Sequence, residues 1–162
     1  MVPYSMEFKF EDFLADISQE YRNGVTQIHE ELTTDKYKMK IEKKASGLLV
    51  SYSHPKTKRS LLNWVFRKSG LHIRIYAEGH ANYADFISTL PNDMEASIAK
   101  SSQCKQFFNP PQCSPKCRGY DISIRGNKYQ KCRYDCFLMQ ITQENLPIIT
   151  ELIRLEKETR VV

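Results

Sequence analysis

Before Cys104 this chain of 162 residues contains no cysteine, and nowhere does it contain an apolar run near the roughly 20 residues that cross a bilayer. The amino-terminal segment also lacks a basic start followed by an apolar stretch, so the sequence predicts neither a membrane span nor a secretory signal. We therefore expect a cytoplasmic protein without membrane contact. In that compartment, clustered cysteines are more often metal ligands or redox groups than disulfides.

Recognisable catalytic motifs are also absent. The four histidines are scattered, and the sequence contains neither a glycine-rich phosphate loop nor a nucleophile elbow. We therefore predict no catalytic residues, and an enzyme is the less favoured class. Hydrophobic residues make up 41% of the chain and charged residues 27%, with a formal net charge of +5, which is an ordinary and mildly basic globular composition.

The hydrophobic periodicity predicts a single α+β domain over residues 1–162. Apolar residues recur at three- and four-residue steps over 8–33, which predicts an amphipathic helix with a weak point or break at Gly24. Residues 36–76 alternate with period two and predict a four-stranded antiparallel meander packed on that helix. The remaining predicted elements are two short helices over 82–101, a cysteine-rich hairpin subregion over 104–141, and a C-terminal helix over 145–159.

The expected turn at Ser69-Gly70 sets the register of the last two strands of the meander. If these two residues form the loop, Trp64 lies opposite Ile75. One face of the strand pair is then apolar and must face the core, and the opposite face is polar, basic and partly aromatic. On the polar face the predicted neighbours are Arg67 with His72, Val65 with Arg74, and Asn63 with Tyr76.

The polar sheet face is the predicted ligand site. Two guanidinium groups with an imidazole and an aromatic ring can hold an anion or stack on a base. The ligand would be an anionic small molecule or a protein partner. The predicted ligand-binding residues are Asn63, Arg67, His72, Arg74 and Tyr76.

Five cysteines lie between Cys104 and Cys136, and four of them form two C-x3-C pairs. Matched pairs on either side of a hairpin can present four thiolates to one metal ion, and zinc usually takes such closed sites in structural roles. A hairpin turn at Gly126-Asn127 would place Asp121 opposite Cys132 and, extended further, Cys117 opposite Cys136. The predicted metal ligands are Cys113, Cys117, Cys132 and Cys136, with Cys104 as a possible substitute.

The metal hypothesis sets a geometric condition on both pairs. Residues four apart in an extended strand are about 13 Å apart, whereas each thiolate on a zinc ion lies about 2.3 Å from the metal. The chain must therefore curl between Cys113 and Cys117, and again across Arg133-Tyr134-Asp135. Four thiolates also suit an iron–sulfur cluster, and the sequence equally allows free thiols without a cofactor, a disulfide, or a thiol-based redox sensor.

The stretch WVFRKSGLHIRIYAEGHANYADFISTLPNDMEASIAK covers residues 64–100. With two strands followed by a Y-x2-F-x3-LP helix pair, it resembles small uncharacterised bacterial domains of the YdhG-like group. The resemblance implies a small cytosolic α+β domain, and it brings neither an agreed reaction nor catalytic residues. The cysteine pairs have no counterpart in that group.

Together these patterns predict a binding module with a structural zinc, and two alternatives stay open. In the first, the protein binds nucleic acid through the basic runs from Lys36 to Lys44 and from Lys56 to Arg59, together with Arg118, Lys131 and Arg133, beside a zinc-stabilised hairpin. In the second, the cysteines form a redox sensor. The sequence indicates neither the identity of a ligand nor the oligomeric state.

Overall fold

The computed structural model describes residues 7–104 and 119–160. The first region begins with helices α1 (Phe10–Ala15) and α2 (Gln19–Thr34). It continues with strands β1 (Lys38–Lys44), β2 (Gly47–Ser53), β3 (Ser60–Arg67) and β4 (Gly70–Ile75), a 3-10 turn (His80–Tyr83), and helices α3 (Ala84–Ile87) and α4 (Asn92–Lys100). The second contains β5 (Tyr120–Ile124), β6 (Asn127–Lys131), β7 (Leu138–Gln140) and α5 (Leu146–Thr159). None of the described helices combines the length and apolar character needed to cross a membrane.

An antiparallel sheet of five strands, in the order β1-β2-β3-β4-β7, forms the body of the protein. The predicted meander is present, and β7 joins it from near the end of the chain, with Met139 opposite Ile73. The predicted α+β class is therefore confirmed. The additional strand was missed because three residues are too few to show a period-two pattern.

The predicted register of β3 and β4 is wrong by two residues. Trp64 lies opposite Ile73, and the loop is Lys68-Ser69. Gly70 instead begins β4 with a φ of +131°, a backbone conformation that residues with a Cβ rarely adopt. A slip of two residues keeps each side chain on its face, so the apolar face is as predicted. Its buried members are Leu62, Trp64, Leu71, Ile73 and Ile75.

The same slip corrects the predicted neighbours on the polar face. Tyr76 lies beyond the end of β4, where its N–H donates to the carbonyl of Leu61 at 2.9 Å. The observed cross-strand pairs are Val65–His72, Asn63–Arg74 and Arg67–Gly70.

Helices α1 and α2 cover the apolar face, as predicted for segment 8–33, but the break within that segment lies elsewhere. Helix α1 ends at Ala15 and α2 begins at Gln19, whereas Gly24 lies inside α2. A Cβ on Gly24 would lie 2.3 Å from Leu146 Cδ2, so this glycine allows α2 to pack closely against the start of α5.

The hairpin of β5 and β6 turns at Arg125-Gly126, and the predicted turn at Gly126-Asn127 is wrong. Both turn residues have positive φ, +48° and +85°, as a type I′ turn requires. The Arg125 guanidinium donates to the carbonyl of Leu90 and to the Glu95 carboxylate, contacts that offset the strain of its backbone. Asp121 consequently lies opposite Gln130.

Candidate functional site

The five predicted ligand-binding residues do not converge on one point. Asn63 and Arg74 are neighbours on the outer face of the sheet, which is the face opposite α1 and α2. Arg67 lies four residues from Asn63, about 13 Å along an extended strand. The Nδ1 atom of His72 lies 3.1 Å from a backbone carbonyl of its own strand. Of the five, Tyr76 lines a cleft and Arg74 contacts its rim.

This cleft, of about 680 Å³, opens at the end of the sheet where β3 begins and β4 ends. The turn after β6 closes its other side, and the Nε of Arg74 donates to the carbonyl of Tyr134 on that turn. We name it the tyrosine–arginine cleft. The side chains that define it are Arg59, Tyr76, Glu78, Tyr120, Arg133 and Tyr134.

Two guanidinium groups share one carboxylate inside the cleft. The Oε2 of Glu78 accepts from Arg59 Nη1 at 3.0 Å, and its Oε1 accepts from Arg133 Nη2. The Cζ of Arg133 also lies 5.9 Å and 5.4 Å from the ring centroids of Tyr76 and Tyr134, which meet edge to face. These charged side chains leave one positive charge in excess, which suits the entry of an anion.

Tyr120 adds a polar group without a partner in the described part of the chain. Its side chain is 3% exposed, and its hydroxyl has no hydrogen-bond partner among residues 7–104 and 119–160. Burial raises the pKa of this hydroxyl far above its usual range, so it stays protonated and can donate at neutral pH. Since a buried hydroxyl without a partner costs free energy, a ligand atom that accepts from it would recover that cost.

Behind the cleft, Glu156 ties α5 to the segment that follows β4. Its side chain is completely buried, and the carboxylate accepts from the Gly79 N–H at 2.9 Å, the Tyr83 hydroxyl at 2.6 Å and Arg160 Nε at 2.7 Å. Burial, and then the nearby Glu156 carboxylate, raise the pKa of the Tyr83 hydroxyl, which therefore stays a donor. This buried network holds in place the backbone that carries Glu78.

Arg160 extends the same network to the strands. Its guanidinium donates to the carbonyl of Ser60 at 2.9 Å and to the carbonyl of Tyr76 at 2.8 Å. The start of β3 and the end of β4 are thus both fixed by the last turn of α5. The positions of the side chains in the cleft depend on a residue near the end of the described chain.

Sequence reasoning identified Tyr76 and missed Glu78, Tyr120 and Glu156. For two of these residues, Tyr120 and Glu156, the sequence contains a pattern that predicts a buried polar group. Tyr120 alternates with two isoleucines and so shares their apolar face, where its hydroxyl needs a partner. Glu156 lies four residues after Leu152, on the buried stripe of α5, and an acid on such a stripe is normally bound internally. Glu78 follows β4 in an irregular segment and showed no pattern.

Three of the five cysteines are described, Cys104, Cys132 and Cys136, and all are free thiols. Cys113 and Cys117 lie outside the described residues, so the predicted cysteine-rich hairpin is not shown. The curl required at the second pair is present, because the N–H of Cys136 donates to the carbonyl of Cys132 at 2.9 Å across one helical turn. Within the described residues, no group of three or more His, Cys, Asp or Glu side chains could hold a metal ion.

Cys104 and Gly119 meet beside the end of β6. The Cys104 N–H donates to the carbonyl of Gln130 at 3.0 Å, and the Cys132 N–H donates to the carbonyl of Ser102 at 2.8 Å. A Cβ on Gly119 would lie 2.1 Å from Cys104 Sγ. The two ends of the segment that contains Cys113 and Cys117 therefore lie together, one strand away from Cys132.

Some residues of the two alternative functions serve other contacts, whereas the lysines of β1 are exposed. Lys131 is 7% exposed and donates to the carbonyls of Ala99 and Ser101 at 2.9 Å and 3.0 Å. Arg133 is bound to Glu78, and Arg118 lies outside the described residues. Burial raises the pKa of the Cys136 thiol, which keeps it protonated and unreactive at neutral pH. Nucleic-acid binding and redox sensing both stay predictions.

No known protein family, curated protein or solved structure matches this chain. The resemblance of residues 64–100 to the YdhG-like group therefore stays a prediction.

Proposed function

We propose that this protein is a binding module that takes a small anionic ligand in the tyrosine–arginine cleft. Tyr120 carries the proposal, because its buried, protonated hydroxyl has no partner in the described residues and its side chain lines a cleft with excess positive charge. A carboxylate or phosphate group would accept from this hydroxyl while it approaches Arg59 and Arg133. The rings of Tyr76 and Tyr134 would contact the body of the ligand.

This proposal moves the ligand from the outer sheet face to the end of the sheet. Tyr76 belongs to both the predicted site and the cleft. Arg74, another residue of the predicted site, contacts the rim of the cleft. The other three predicted residues, Asn63, Arg67 and His72, do not line this cleft. We propose binding rather than catalysis, because in the described lining the Glu78 carboxylate is ion-paired, the Tyr120 hydroxyl stays protonated, and the Nδ1 of His80 lies 3.0 Å from the carbonyl of Ala77.

The test is Tyr120→Phe, which removes one oxygen and keeps the ring. Because the hydroxyl has no partner among the described residues, we expect the variant to be as stable as the parent or more stable by up to about 1 kcal/mol. Its affinity for the anion should fall about 5- to 30-fold, as expected for the loss of about 1–2 kcal/mol of hydrogen bonding. Calorimetric titration with inorganic phosphate, acetate and succinate measures this, using the probe that the parent binds most tightly.

A matched control is Tyr37→Phe. Tyr37 lines a different cleft, beside His54 and Lys36, so removing its hydroxyl should leave the affinity for the anion unchanged. A loss with Tyr120→Phe together with no loss in the control supports the assignment of the site. Equal affinity in both variants, or a parent protein that binds none of the three anions, would show that the cleft is not an anion site.

We also propose that Cys132 and Cys136 belong to a structural zinc site completed by Cys113 and Cys117. Two observations support it: the helical turn that brings Cys132 and Cys136 together, and the contact between Cys104 and Gly119 beside Cys132. Zinc would hold the thiolates deprotonated, which reverses the effect of burial on Cys136. In the proposed cytoplasmic location, where disulfides are rare, the zinc would link the two parts of the chain that carry the cysteine pairs.

Metal content decides the zinc proposal. We expect about one zinc per chain by mass spectrometry, and four thiols that react slowly until a chelator is added. Cys132→Ser should lose the metal, whereas Cys104→Ser should retain it. Two or more irons per chain would indicate an iron–sulfur cluster instead, and five reactive thiols without metal would leave the cysteines as packed or redox-active groups.

A further inference from the structure

Strand β1 forms one edge of the five-stranded sheet and, within residues 7–104 and 119–160, pairs with β2 alone. In an antiparallel sheet, alternate residues of an edge strand point their N–H and C=O groups away from the sheet. These groups are a template for another strand. Most side chains of β1 are exposed, so the template is accessible among the described residues.

Strand β1 is strongly basic. Its sequence is KMKIEKK, with four lysines and one acidic residue. Glu42 is bound by Lys40 at 2.9 Å and by Lys44 at 3.7 Å, and the hydrogen bond from Lys40 lowers its pKa. A second copy of β1 would bring the same positive excess to the edge, whereas an acidic strand would bring the opposite charge.

The two faces of β1 differ in chemistry. Ile41 lies opposite the buried Val50, so Ile41 and Met39 are on the core side, while Lys38 and Lys40 are on the outer face. Met39 is 38% exposed in spite of its place on the core side, because it lies at the uncovered edge. A strand added here could cover Met39 with apolar side chains and place acidic side chains beside the two lysines.

We propose that β1 binds an extended acidic segment of a partner protein, which adds to the sheet as a further strand. The segment would alternate acidic and apolar residues, so that its acidic side chains lie on the outer face with Lys38 and Lys40. The backbone hydrogen bonds would supply affinity, and the charge of β1 would select the partner and exclude a second copy of this chain.

The probe is a fluorescent peptide of alternating glutamate and valine, N-methylated at every second residue so that one of its edges cannot pair. We expect the full-length protein to bind it, and Lys38→Glu with Lys40→Glu to weaken binding at least tenfold in fluorescence anisotropy. The matched control is Lys100→Glu with Lys128→Glu, which makes the same change of charge at exposed positions on α4, which contacts β7 at the opposite edge of the sheet, and on β6, which contacts α4. The control should weaken binding less than threefold.

Hydrogen exchange identifies the mode of binding. If the peptide adds as a strand, about half of the amides of β1 should gain protection in its presence, since alternate N–H groups face the edge. Equal weakening in the two charge variants, no gain of protection in β1, or no binding of the probe would each overturn the proposal. Sedimentation of the protein alone tests whether a second copy of this chain pairs with β1 instead. If the parent is a dimer and Lys38→Glu with Lys40→Glu is a monomer, a second copy occupies the edge of the sheet.

Discussion

Replacement of Glu156 by alanine is expected to lower the free energy of unfolding by about 3–5 kcal/mol. The carboxylate has 0% exposure and accepts from Gly79, Tyr83 and Arg160, so the variant leaves a buried hydroxyl and a nearly buried guanidinium without their acceptor. The cost of those unpaired groups exceeds the value of the lost contacts themselves. Denaturation by urea at neutral pH, followed by circular dichroism, measures the change.

Two comparisons make this result specific. Glu156→Gln keeps the shape and one acceptor oxygen and loses the charge, so its cost should be smaller, about 1–3 kcal/mol. Glu158→Ala removes a carboxylate from the same helix whose side chain is 60% exposed and bound to Arg154, and it should cost less than about 1 kcal/mol. If Glu156→Ala costs no more than Glu158→Ala, the buried network does not hold the cleft together.

The second large effect is expected from Gly119→Ala, which should destabilise the protein by about 3 kcal/mol, the upper end of the usual range for overpacking. The added Cβ would lie 2.1 Å from the Sγ and 2.5 Å from the Cβ of Cys104, and 3.0 Å from the carbonyl oxygen of Lys131. Cys104 is 2% exposed, and its backbone is bonded to Gln130, so neither neighbour can move away at low cost. Urea denaturation again gives the value.

The cause of this loss can be separated from any general effect of the added methyl group. Cys104→Gly removes the two nearest atoms that the new Cβ would meet, and the double variant should therefore lose less stability than the sum of the two single variants. A coupling of about 1 kcal/mol or more is expected for residues in contact. Strict additivity would mean that the two residues do not oppose each other in the folded protein.

The sequence predicted the helices and strands well where a pattern extends over at least five residues. Period-two alternation located the four strands of the meander, and the apolar stripe located α5, which begins at Leu146, one residue after the predicted start. The turns were harder, because a glycine in the sequence does not reveal which backbone angle requires it. Gly70 has a positive φ as the first residue of β4, and Arg125 adopts one with the help of contacts to residues far away in the sequence.

The candidate site was harder to predict than the fold. Tyr76 and Tyr134 meet in the cleft although they are distant in sequence, and the register of β4, the position of β7 and the turn after β6 together bring them near one another. No local pattern contains that information. The polar groups that define the cleft come from separate loops and strand ends, where side-chain periodicity gives no guidance.

The hydrogen bonds of Arg160 have a consequence for how the protein folds. They join Arg160 to the carbonyls of Ser60 and Tyr76, which lie 100 and 84 positions earlier in the chain. The cleft is therefore assembled from contacts of very high sequence separation. Closing such contacts costs more chain entropy than closing local ones, so we expect them to form late in folding. A nascent chain would therefore acquire the ability to bind the proposed anion near the end of folding, and the anion, if present at that stage, would draw the chain to the native state by mass action.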